Sequence, residues 1–330
     1  MAIKRDCQKL QIYVSKPKNV LPLKNNRLSM ERGSRSFSLL KLTDGTNFGI
    51  APICTWPELG EPTVESIVER IFHSKGFKDR RISALFDIAM WDYIGLELPP
   101  YRYNDSHQLV GSQNERSQIL VDLQGKASGR VKLKMGLNLE WETQNWIDGH
   151  LRNPELVWRI DFNHYFKDIP SFLSWWNLLP KSIQFKIDFI EDPLPYDEVV
   201  WKNLKQMISA RLAVDFCEGK TLVDKSFDVL IVKPVRDSMS WVVKQAEKNS
   251  CSVVVTSNLT GAMDLWVSRY YCHKLLSTMV KVEPSGLGQL GTDWDPREDL
   301  IPSHWGENEI DSKYEWQRVG SRDFEYRLDF

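Results

Sequence analysis

Two lysines, Lys132 and Lys134, lie two positions apart in the apolar segment Arg-Val-Lys-Leu-Lys-Met-Gly of residues 130–136. Side chains two positions apart in an extended strand point to the same face, so both ammonium groups are expected on one side of one strand. Like charges held that close disfavour each other's protonation, and partial burial acts in the same direction. An isolated pair of this kind is more often the polar face of a half-exposed strand. With support from other residues, one of these amines could act as a proton-abstracting base near neutral pH.

That support comes from four later apolar segments, each of which ends on an ionisable residue. The four residues are Asp161, Glu191, Asp215 and Lys233. Taken singly, a carboxylate at a strand end is more often the N-cap of the following helix. Three carboxylates that meet in one pocket repel each other, so either their pKa values rise or a cation lies between them. Because every donor is an oxygen atom, without His or Cys, the predicted ion is Mg²⁺, with Mn²⁺ as an alternative, rather than zinc.

The elements that must position these residues follow from the apolar pattern after about residue 117. Predicted strands are Ile119–Leu123, Val131–Met135, Val157–Asp161, Phe185–Glu191, Arg211–Asp215, Val229–Lys233 and Ser252–Ser257. Predicted helices are Leu139–Leu151, Phe172–Leu179, Val199–Met207, Ser240–Asn249 and Gly261–Leu276. This alternation, with nearly continuous apolar strands, predicts a parallel sheet covered by helices.

Seven or eight such units favour a closed β/α barrel, in which the carboxyl ends of the strands meet at one mouth. The region is short for this fold, so we expect lean helices and an irregular closing unit. The alternative is an open doubly wound sheet, which usually has a glycine-rich phosphate loop after its first strand. The segment Gln124-Gly125-Lys126 has one glycine and lacks that spacing.

The first hundred residues have a different pattern. A strand is predicted at Gln8–Val14, followed by a polar loop to Asn26, and the turn around Asp44-Gly45 predicts a hairpin. The hairpin strands are Ser34–Leu42 and Asn47–Ile53, and the helices that follow are Pro62–Phe72 and Ile82–Gly95. Strands followed by helices indicate an α+β region, and the polar tail from Asp295 to Phe330 is expected to pack back over it.

Composition excludes several classes of protein. The net charge is -1 with acids and bases well mixed, so neither a nucleic acid nor a membrane surface is an expected partner. The five cysteines are scattered and lack Cys-x-x-Cys spacing, which argues against disulfides and a zinc site. No apolar segment reaches the length of a membrane span or a signal peptide. A soluble cytoplasmic protein is therefore expected.

With these residues in place, the chain resembles the enolase superfamily over about Glu31 to Thr292. It is most similar to the subgroup that contains muconate lactonizing enzymes, dipeptide epimerases and, closest in length, o-succinylbenzoate synthases. The matching motifs are Lys132-x-Lys134, Arg159-x-Asp161-x-Asn163, Glu191-Asp192-Pro193, Asp215, Lys233-Pro234 and the late Ser285-Gly286-Leu287-Gly288. The resemblance implies a modified TIM (β/α) barrel at residues 116–295. It also implies an N-terminal α+β capping domain at residues 1–115, which the tail 296–330 completes.

The resemblance also implies a first chemical step. A proton α to a carboxylate bound to Mg²⁺ is removed to give an enediolate, in a site of the kind known to combine a Lys base with Mg²⁺. Lys134 would be the base, Lys132 would modulate its pKa, and Lys233 would face it across a small-molecule carboxylate substrate. The metal ligands would be Asp161, Glu191 and Asp215.

Two further residues are candidates for substrate binding. They are Asn163, which could equally be a turn residue, and Ser257 at the end of the seventh predicted strand. One departure from the family pattern is Phe216, where an acidic residue usually follows the third metal ligand. That change removes a carboxylate near the bases.

Three functions stay open on the sequence. The first is o-succinylbenzoate synthase, a hydro-lyase of menaquinone biosynthesis that converts 2-succinyl-6-hydroxy-2,4-cyclohexadiene-1-carboxylate to 2-succinylbenzoate. The second is an N-acylamino acid racemase or dipeptide epimerase that uses both lysines in turn. No Asp-x-Asp segment directly follows the last predicted strand, Ser252–Ser257, and this favours the synthase. The third is a non-catalytic barrel, which has no use for lysines on opposite faces of a site.

Overall fold

The computed structural model describes most of the predicted barrel and parts of the N-terminal region. The described residues are 8–20, 35–57, 60–73, 79–95, 108–110, 129–215, 222, 225–256, 268, 271–272, 274–284 and 315–324. Several predicted features lie outside them. These features are strand Ile119–Leu123, most of helix Gly261–Leu276, Ser257, Phe216 and the turn at Gly286.

An antiparallel sheet is built from residues near both ends of the chain. Its strands are β1 (Gln8–Ser15), β2 (Lys18–Val20), β3 (Arg35–Thr43), β4 (Phe48–Cys54) and β12 (Trp316–Phe324). Strands β1, β2 and β4 all pair antiparallel with β3, and β12 pairs with β1. The β3–β4 hairpin turns at Asp44, whose carboxylate accepts from the backbone N–H groups of Thr46 and Asn47, both at 2.7 Å. Gly45 has φ +93°, so the predicted Asp-Gly turn is confirmed.

A parallel sheet carries the predicted site residues. Its described strands are β5 (Gln108–Val110), β6 (Gly129–Lys134), β7 (Leu156–Asp161), β8 (Ile187–Glu191), β9 (Arg211–Val214), β10 (Val229–Val232) and β11 (Ser252–Val255). They follow one another in spatial order as they do in sequence, and each neighbouring pair is parallel. A parallel bridge between Val253 and Val282 adds the start of a further unit beyond β11. Among the described strands the order never reverses, which is barrel topology rather than the doubly wound alternative.

Helices connect the strands. They are α1 (Val64–His73), α2 (Arg80–Tyr93), α3 (Leu139–Arg152), α4 (Ile169–Leu178), the short α5 (Lys181–Gln184), α6 (Glu198–Met207) and α7 (Met239–Asn249). Polar side chains fix several starts, since Asp79, Asn138 and Asp197 each accept hydrogen bonds from first-turn N–H groups. Within the described part of the chain, none of these helices has the length and apolarity needed to cross a bilayer.

Three predictions about local structure were wrong. Lys18–Val20 is a strand rather than part of the predicted loop, because it pairs with the start of β3. Gln108–Val110 is a strand that pairs with β6, although no strand was predicted there. The strand predicted from Phe185 begins at Ile187, because the α5 turn uses the preceding residues. The domain boundaries themselves stay a prediction.

Two apolar cores hold the parallel sheet. Between sheet and helices, large aromatic side chains such as Trp146, Trp158 and Trp201 are fully buried. The concave face has its own small cluster, made of Phe189, Ala213, Val229, Ile231 and Val254. Along each strand, side chains alternate between these two packed faces. This alternation determines which polar side chains point to the concave face at the ends of the strands.

Candidate active site

Five charged residues lie side by side at the carboxyl ends of β6 to β10. Lys134 is the register partner of Asp161, and Asp161 is the partner of Glu191 on the next strand. Asp215 directly follows β9, and Lys233 directly follows β10. The structure therefore forms a row of one lysine, three carboxylates and a second lysine across neighbouring strands, in the predicted order.

Lys132, two residues before Lys134 on the same strand, contacts two of these acids. Its Nζ is 2.7 Å and 2.6 Å from the two carboxylate oxygens of Glu191 and 2.9 Å from Oδ2 of Asp161. Both Lys132 and Lys134 reach Asp161, which confirms that the two side chains share one face of β6. Lys132 is buried, so it is a supporting cation rather than a group open to substrate.

Lys134 and Lys233 approach the carboxylates from the two ends of the row. Lys134 Nζ is 2.5 Å from Asp161 Oδ2, and Lys233 forms a close ion pair with Asp215. Their side chains are 15% and 11% exposed, so both point into the site and not outward to solvent. This is the arrangement that two bases on either side of a bound substrate would need.

The charges of the row shift the pKa values of its members. Burial alone would raise the pKa of Asp161, but the charges of Lys132 and Lys134 outweigh burial and hold that pKa well below its usual range. Burial likewise opposes Lys233 and Arg236 at Asp215, where the pKa is again lowered. Burial and the charge of Asp161 raise the pKa of Glu191, against the effect of Lys132.

The sequence predicted a lowered pKa for at least one of the two lysines, and Lys132 instead has a raised pKa. Burial lowers the pKa of this ammonium group, but the charges of Asp161, Glu191 and Asp215 outweigh burial and raise it. Repulsion between the two lysines and burial would both lower the pKa. The structure adds three anions within reach, and an opposite charge at close range favours the ionised form.

The chemistry of the three carboxylates fits a hard divalent cation. All donors are oxygens, Glu191 is destabilised as an anion, and buried Oδ2 of Asp161 makes only ion-pair contacts without hydrogen-bond geometry. In the described residues, however, no group of three His, Cys, Asp or Glu side chains has the spacing of a formed metal site. Lys132, Lys134 and Lys233 balance part of the negative charge of the acids. The metal-ligand roles of Asp161, Glu191 and Asp215 therefore stay predictions.

Two residues that the sequence argument did not assign hold Asp215 in place. The Asp215 backbone N–H donates to Asp192 Oδ1 at 3.1 Å, and Arg236 Nη1 donates to Asp215 Oδ1 at 2.9 Å. Arg236 is buried and also binds Asp237. A signal for Arg236 does exist in the sequence, since an Arg-Asp pair follows two residues after Lys233-Pro234.

The backbone around the row is strained at three residues. Asn163, His164 and Asp192 all have positive φ, at 47°, 59° and 43°. The two turns support each other, because the His164 N–H donates to the Asp192 carbonyl at 2.7 Å and His164 Nε2 lies 3.5 Å from the Asp192 carboxylate. Left-handed non-glycine residues cluster at functional sites, where surrounding contacts maintain them.

Asn163 lies directly beside the row. Its N–H donates to Asp161 Oδ1 at 3.1 Å, so this residue orients a predicted metal ligand through its backbone. A substrate contact through the Asn163 side chain stays a prediction, and so does the role of Ser257.

Comparison with known proteins identifies one protein that is similar in sequence and several that are similar in structure. No protein-family model matches the chain. In sequence, the chain is 24% identical to the o-succinylbenzoate synthase of Bdellovibrio bacteriovorus over 253 residues, which cover 73% of this chain and 74% of the relative.

Several solved structures share the fold. N-succinyl Arg/Lys racemase from Bacillus cereus matches with a TM-score of 0.67 at 16% identity, over 96% of this chain and 94% of the racemase. Muconate lactonizing enzyme from Pseudomonas putida matches with a TM-score of 0.61 at 14% identity, over 85% and 87%. An enolase family member from Agrobacterium tumefaciens with homology to dipeptide epimerases, determined with sodium and L-Ala-L-Glu bound, has a TM-score of 0.63 at 16% identity, over 89% and 100%. The chain therefore has the fold of the enolase superfamily, a modified β/α barrel with an α+β capping domain, and the predicted resemblance to that superfamily is confirmed.

Proposed function

We propose that this protein is an enzyme that removes a proton α to a carboxylate, and that its reaction is the o-succinylbenzoate synthase reaction. The observation that carries the proposal is the row of Lys134, three buried carboxylates and Lys233 at the ends of neighbouring parallel strands. Similarity to a synthase over 73% of the chain supports the choice of reaction.

The carboxylates of Asp161, Glu191 and Asp215 would hold Mg²⁺, or Mn²⁺ in its place. When bound, such an ion supplies positive charge where a substrate carboxylate gains negative charge. This charge matters because a proton next to a carboxylate is otherwise too weakly acidic for an amine to remove.

Lys134 is the proposed base. As a neutral amine, its Nζ takes the α-proton of 2-succinyl-6-hydroxy-2,4-cyclohexadiene-1-carboxylate, and the C–H electron pair moves into the enediolate. The new ammonium group of Lys134 then gives the same proton to the departing hydroxyl on that face of the ring. The C–O bond breaks, water leaves and 2-succinylbenzoate forms, so atoms and charges balance.

Lys233 has a different task in this reaction. Its ammonium group, held by the Asp215 carboxylate, stabilises the enediolate by charge and transfers no proton. Lys132 is tied to Glu191 and Asp161 and keeps those carboxylates close together despite their repulsion.

A second function has specific support. The match to N-succinyl Arg/Lys racemase covers nearly the whole chain, and the two lysines at opposite ends of the row suit a reaction in which each serves one enantiomer. In an N-acylamino acid racemase, or a dipeptide epimerase, Lys134 and Lys233 would exchange the roles of base and acid.

The test compares both reactions on one preparation. An absorbance assay with the cyclohexadiene substrate and Mg²⁺ measures dehydration, and incorporation of solvent deuterium into N-acylamino acids and dipeptides measures α-proton exchange. We expect fast dehydration. Fast exchange without dehydration would instead favour the racemase or epimerase, and inactivity in both assays with metal bound would favour the non-catalytic barrel.

A further inference from the structure

A buried chain of alternating charges connects the N-terminal region to the carboxylate row. At its centre is Arg236, whose Nη1 donates to Asp215 Oδ1 at 2.9 Å and lies 3.7 Å from Oε1 of Glu61. The Arg236 side chain is 2% exposed and that of Glu61 is 1% exposed. Glu61 precedes α1 in the N-terminal region, whereas Asp215 directly follows β9 of the parallel sheet.

Glu61 is fixed on its own side of this contact. Its Oε2 accepts from the backbone N–H of Trp56 at 2.9 Å and pairs with Arg81 Nη1 at 3.2 Å. Arg81 lies in the first turn of α2. The carboxylate of Glu61 is therefore held by a loop and a helix of the N-terminal region before it faces Arg236.

Arg236 is fixed equally firmly on the barrel side. Its Nη2 binds Asp237 Oδ2 at 2.7 Å and the Ile231 carbonyl at 3.2 Å. The same Asp237 oxygen accepts from the backbone N–H of Lys233 at 3.0 Å. Because a guanidinium group is planar and rigid, a displacement of one of its partners is passed to the others.

Burial makes each member of the chain depend on its neighbours. A buried charge that loses its partner is strongly destabilised, whereas a complete set of pairs is tolerated. The Glu61 carboxylate contacts both Arg236 and Arg81. If its charge were removed, the two guanidinium groups would have one anion fewer to balance them. The guanidinium group of Arg236 would then move relative to Asp215 and Asp237.

We propose that Glu61 is a positioning residue through which docking of the N-terminal region sets the geometry of Asp215 and Lys233. The contact runs from Glu61 to Arg236, and from Arg236 to Asp215 directly and to the Lys233 backbone through Asp237. The functional importance of this coupling rests on the proposed function, since that function makes Asp215 a metal ligand and Lys233 an active-site cation. The coupling itself is a property of the protein without metal.

The experiment begins with metal-free protein. Glu61→Gln keeps the shape of the side chain and removes its charge, and Asp92→Asn is the matched control. Asp92 is also a largely buried acid of the N-terminal region, but it accepts from the Ile50 N–H at 2.8 Å, away from Arg236. Hydrogen–deuterium exchange is measured for peptides that cover residues 229–238 and 129–136.

We expect Glu61→Gln to speed amide exchange in 229–238 by about fivefold or more and to leave 129–136 within about twofold of wild type. Asp92→Asn should change neither segment. Unchanged exchange in 229–238, or equal acceleration of both segments, would overturn the proposal. Should Glu61→Gln not fold, Glu61→Asp retains the charge and withdraws it from Arg236. It should give the same pattern at about threefold.

A second readout separates positioning from general stability. On the substrate that wild type turns over, Glu61→Gln should lower kcat about tenfold with KM within about twofold, below the unfolding temperature of the variant. In an Arg236→Lys background the same change should lower kcat by less than about twofold, because the guanidinium group that carries the effect is gone. If Glu61→Gln still lowered kcat about tenfold in the Arg236→Lys variant, the coupling would be contradicted.

The two proposals fail in different ways. If wild type turns over neither class of substrate, the proposed function is wrong, and hydrogen exchange still decides the coupling. If wild type is active and the exchange of 229–238 does not respond to Glu61→Gln, the coupling is wrong and the proposed function stands.

Discussion

At the scale of single residues, the main feature of the site is the balance of charge between buried acids and lysines. Three buried acids would repel each other without cations, and Lys132, Lys134 and Lys233 each lie within ion-pair distance of at least one of them. Lys132 is the most deeply buried of the three, so its removal would take away the cation that contacts both Glu191 and Asp161. Lys134 and Lys233 are less buried, and in the proposed reaction they are the lysines that act on the substrate.

The first prediction concerns Lys134. Lys134→Ala should lower turnover by about 10²–10⁴-fold, because it removes the proposed base. Binding of Mn²⁺, followed by its paramagnetic resonance signal, should be as tight as in wild type or tighter, because Lys134 Nζ, 2.5 Å from Asp161 Oδ2, no longer competes for that carboxylate. Lys202→Ala, on an exposed helix face, is the control.

The opposite result for Lys134 would also be informative. If Lys134→Ala loses metal binding and helical circular dichroism together, the side chain is structural and the proposed role is wrong. A variant with wild-type turnover would move the search for the base to Lys233.

Which site residues could be predicted from sequence depends on where their partners lie in the chain. Lys132, Lys134, Asp161, Glu191 and Asp215 each occupy a strand or its end, so local alternation and barrel topology place them together. Glu61 and Arg236 could not be paired in this way, because their contact crosses from the N-terminal region to the barrel with no local pattern. The raised pKa of Lys132 has another cause, since the charges of three acids on other strands act on it in addition to burial.

At the scale of elements, close contact between a helix and a strand holds the N-terminal region together. Gly49 on β4 lies against α2, and a Cβ atom built on Gly49 would be 2.1 Å from the Ala89 carbonyl oxygen and 2.2 Å from the Tyr93 nitrogen. Both neighbours are backbone atoms, so no side chain can move away to make room. The same helix carries Arg81, which holds Glu61.

The second prediction follows from this contact. Gly49→Ala should lower the free energy of unfolding by about 3 kcal/mol or more, since α2 must move away from β4 to admit the methyl group. Gly129→Ala is the matched control, because the nearest atom to its Cβ would be a leucine side-chain carbon at 3.8 Å. Urea unfolding measures both variants, and equal stability of the two would contradict the packing argument.

Helices and strands were predicted well where a single hydrophobic periodicity extends through the segment. Helix Leu139–Arg152 begins at its predicted residue, because Asn138 caps it and apolar positions recur along one face. The strand Lys18–Val20 was missed, since three residues are too few to show an alternating pattern and only pairing with the distant β3 makes them a strand. Pairing of β12 with β1 across the chain likewise depends on a partner that no local pattern identifies.

At the scale of the whole molecule, the end of the parallel sheet opposite the carboxylate row has an ion network of its own. Arg159 Nε binds Asp188 at 2.9 Å, and Arg159 Nη1 binds the Pro284 carbonyl at 2.7 Å. Arg211 binds Asp188 and both carboxylate oxygens of Glu283. These contacts join β7, β8 and β9 to the segment that continues beyond β11. The network therefore links strands that are far apart in the sheet order.

The last prediction is that Glu283 makes this network sensitive to acid. Burial would raise the pKa of Glu283, but hydrogen bonds from Arg211 and Ser252, together with the charges of Arg211 and Lys281, outweigh burial and lower it from 4.5 to about 2. A carboxyl with a lowered pKa contributes stability above its unfolded pKa and loses that contribution as pH falls toward the folded value.

Glu283→Gln should therefore cost about 1–3 kcal/mol of unfolding free energy near neutral pH, and the difference from wild type should shrink between pH 4.5 and about 2. Urea unfolding at several pH values measures this, with Glu155→Gln in an exposed ion pair as a control that changes little. A difference that stays constant with pH would show that Glu283 acts by packing and not by charge.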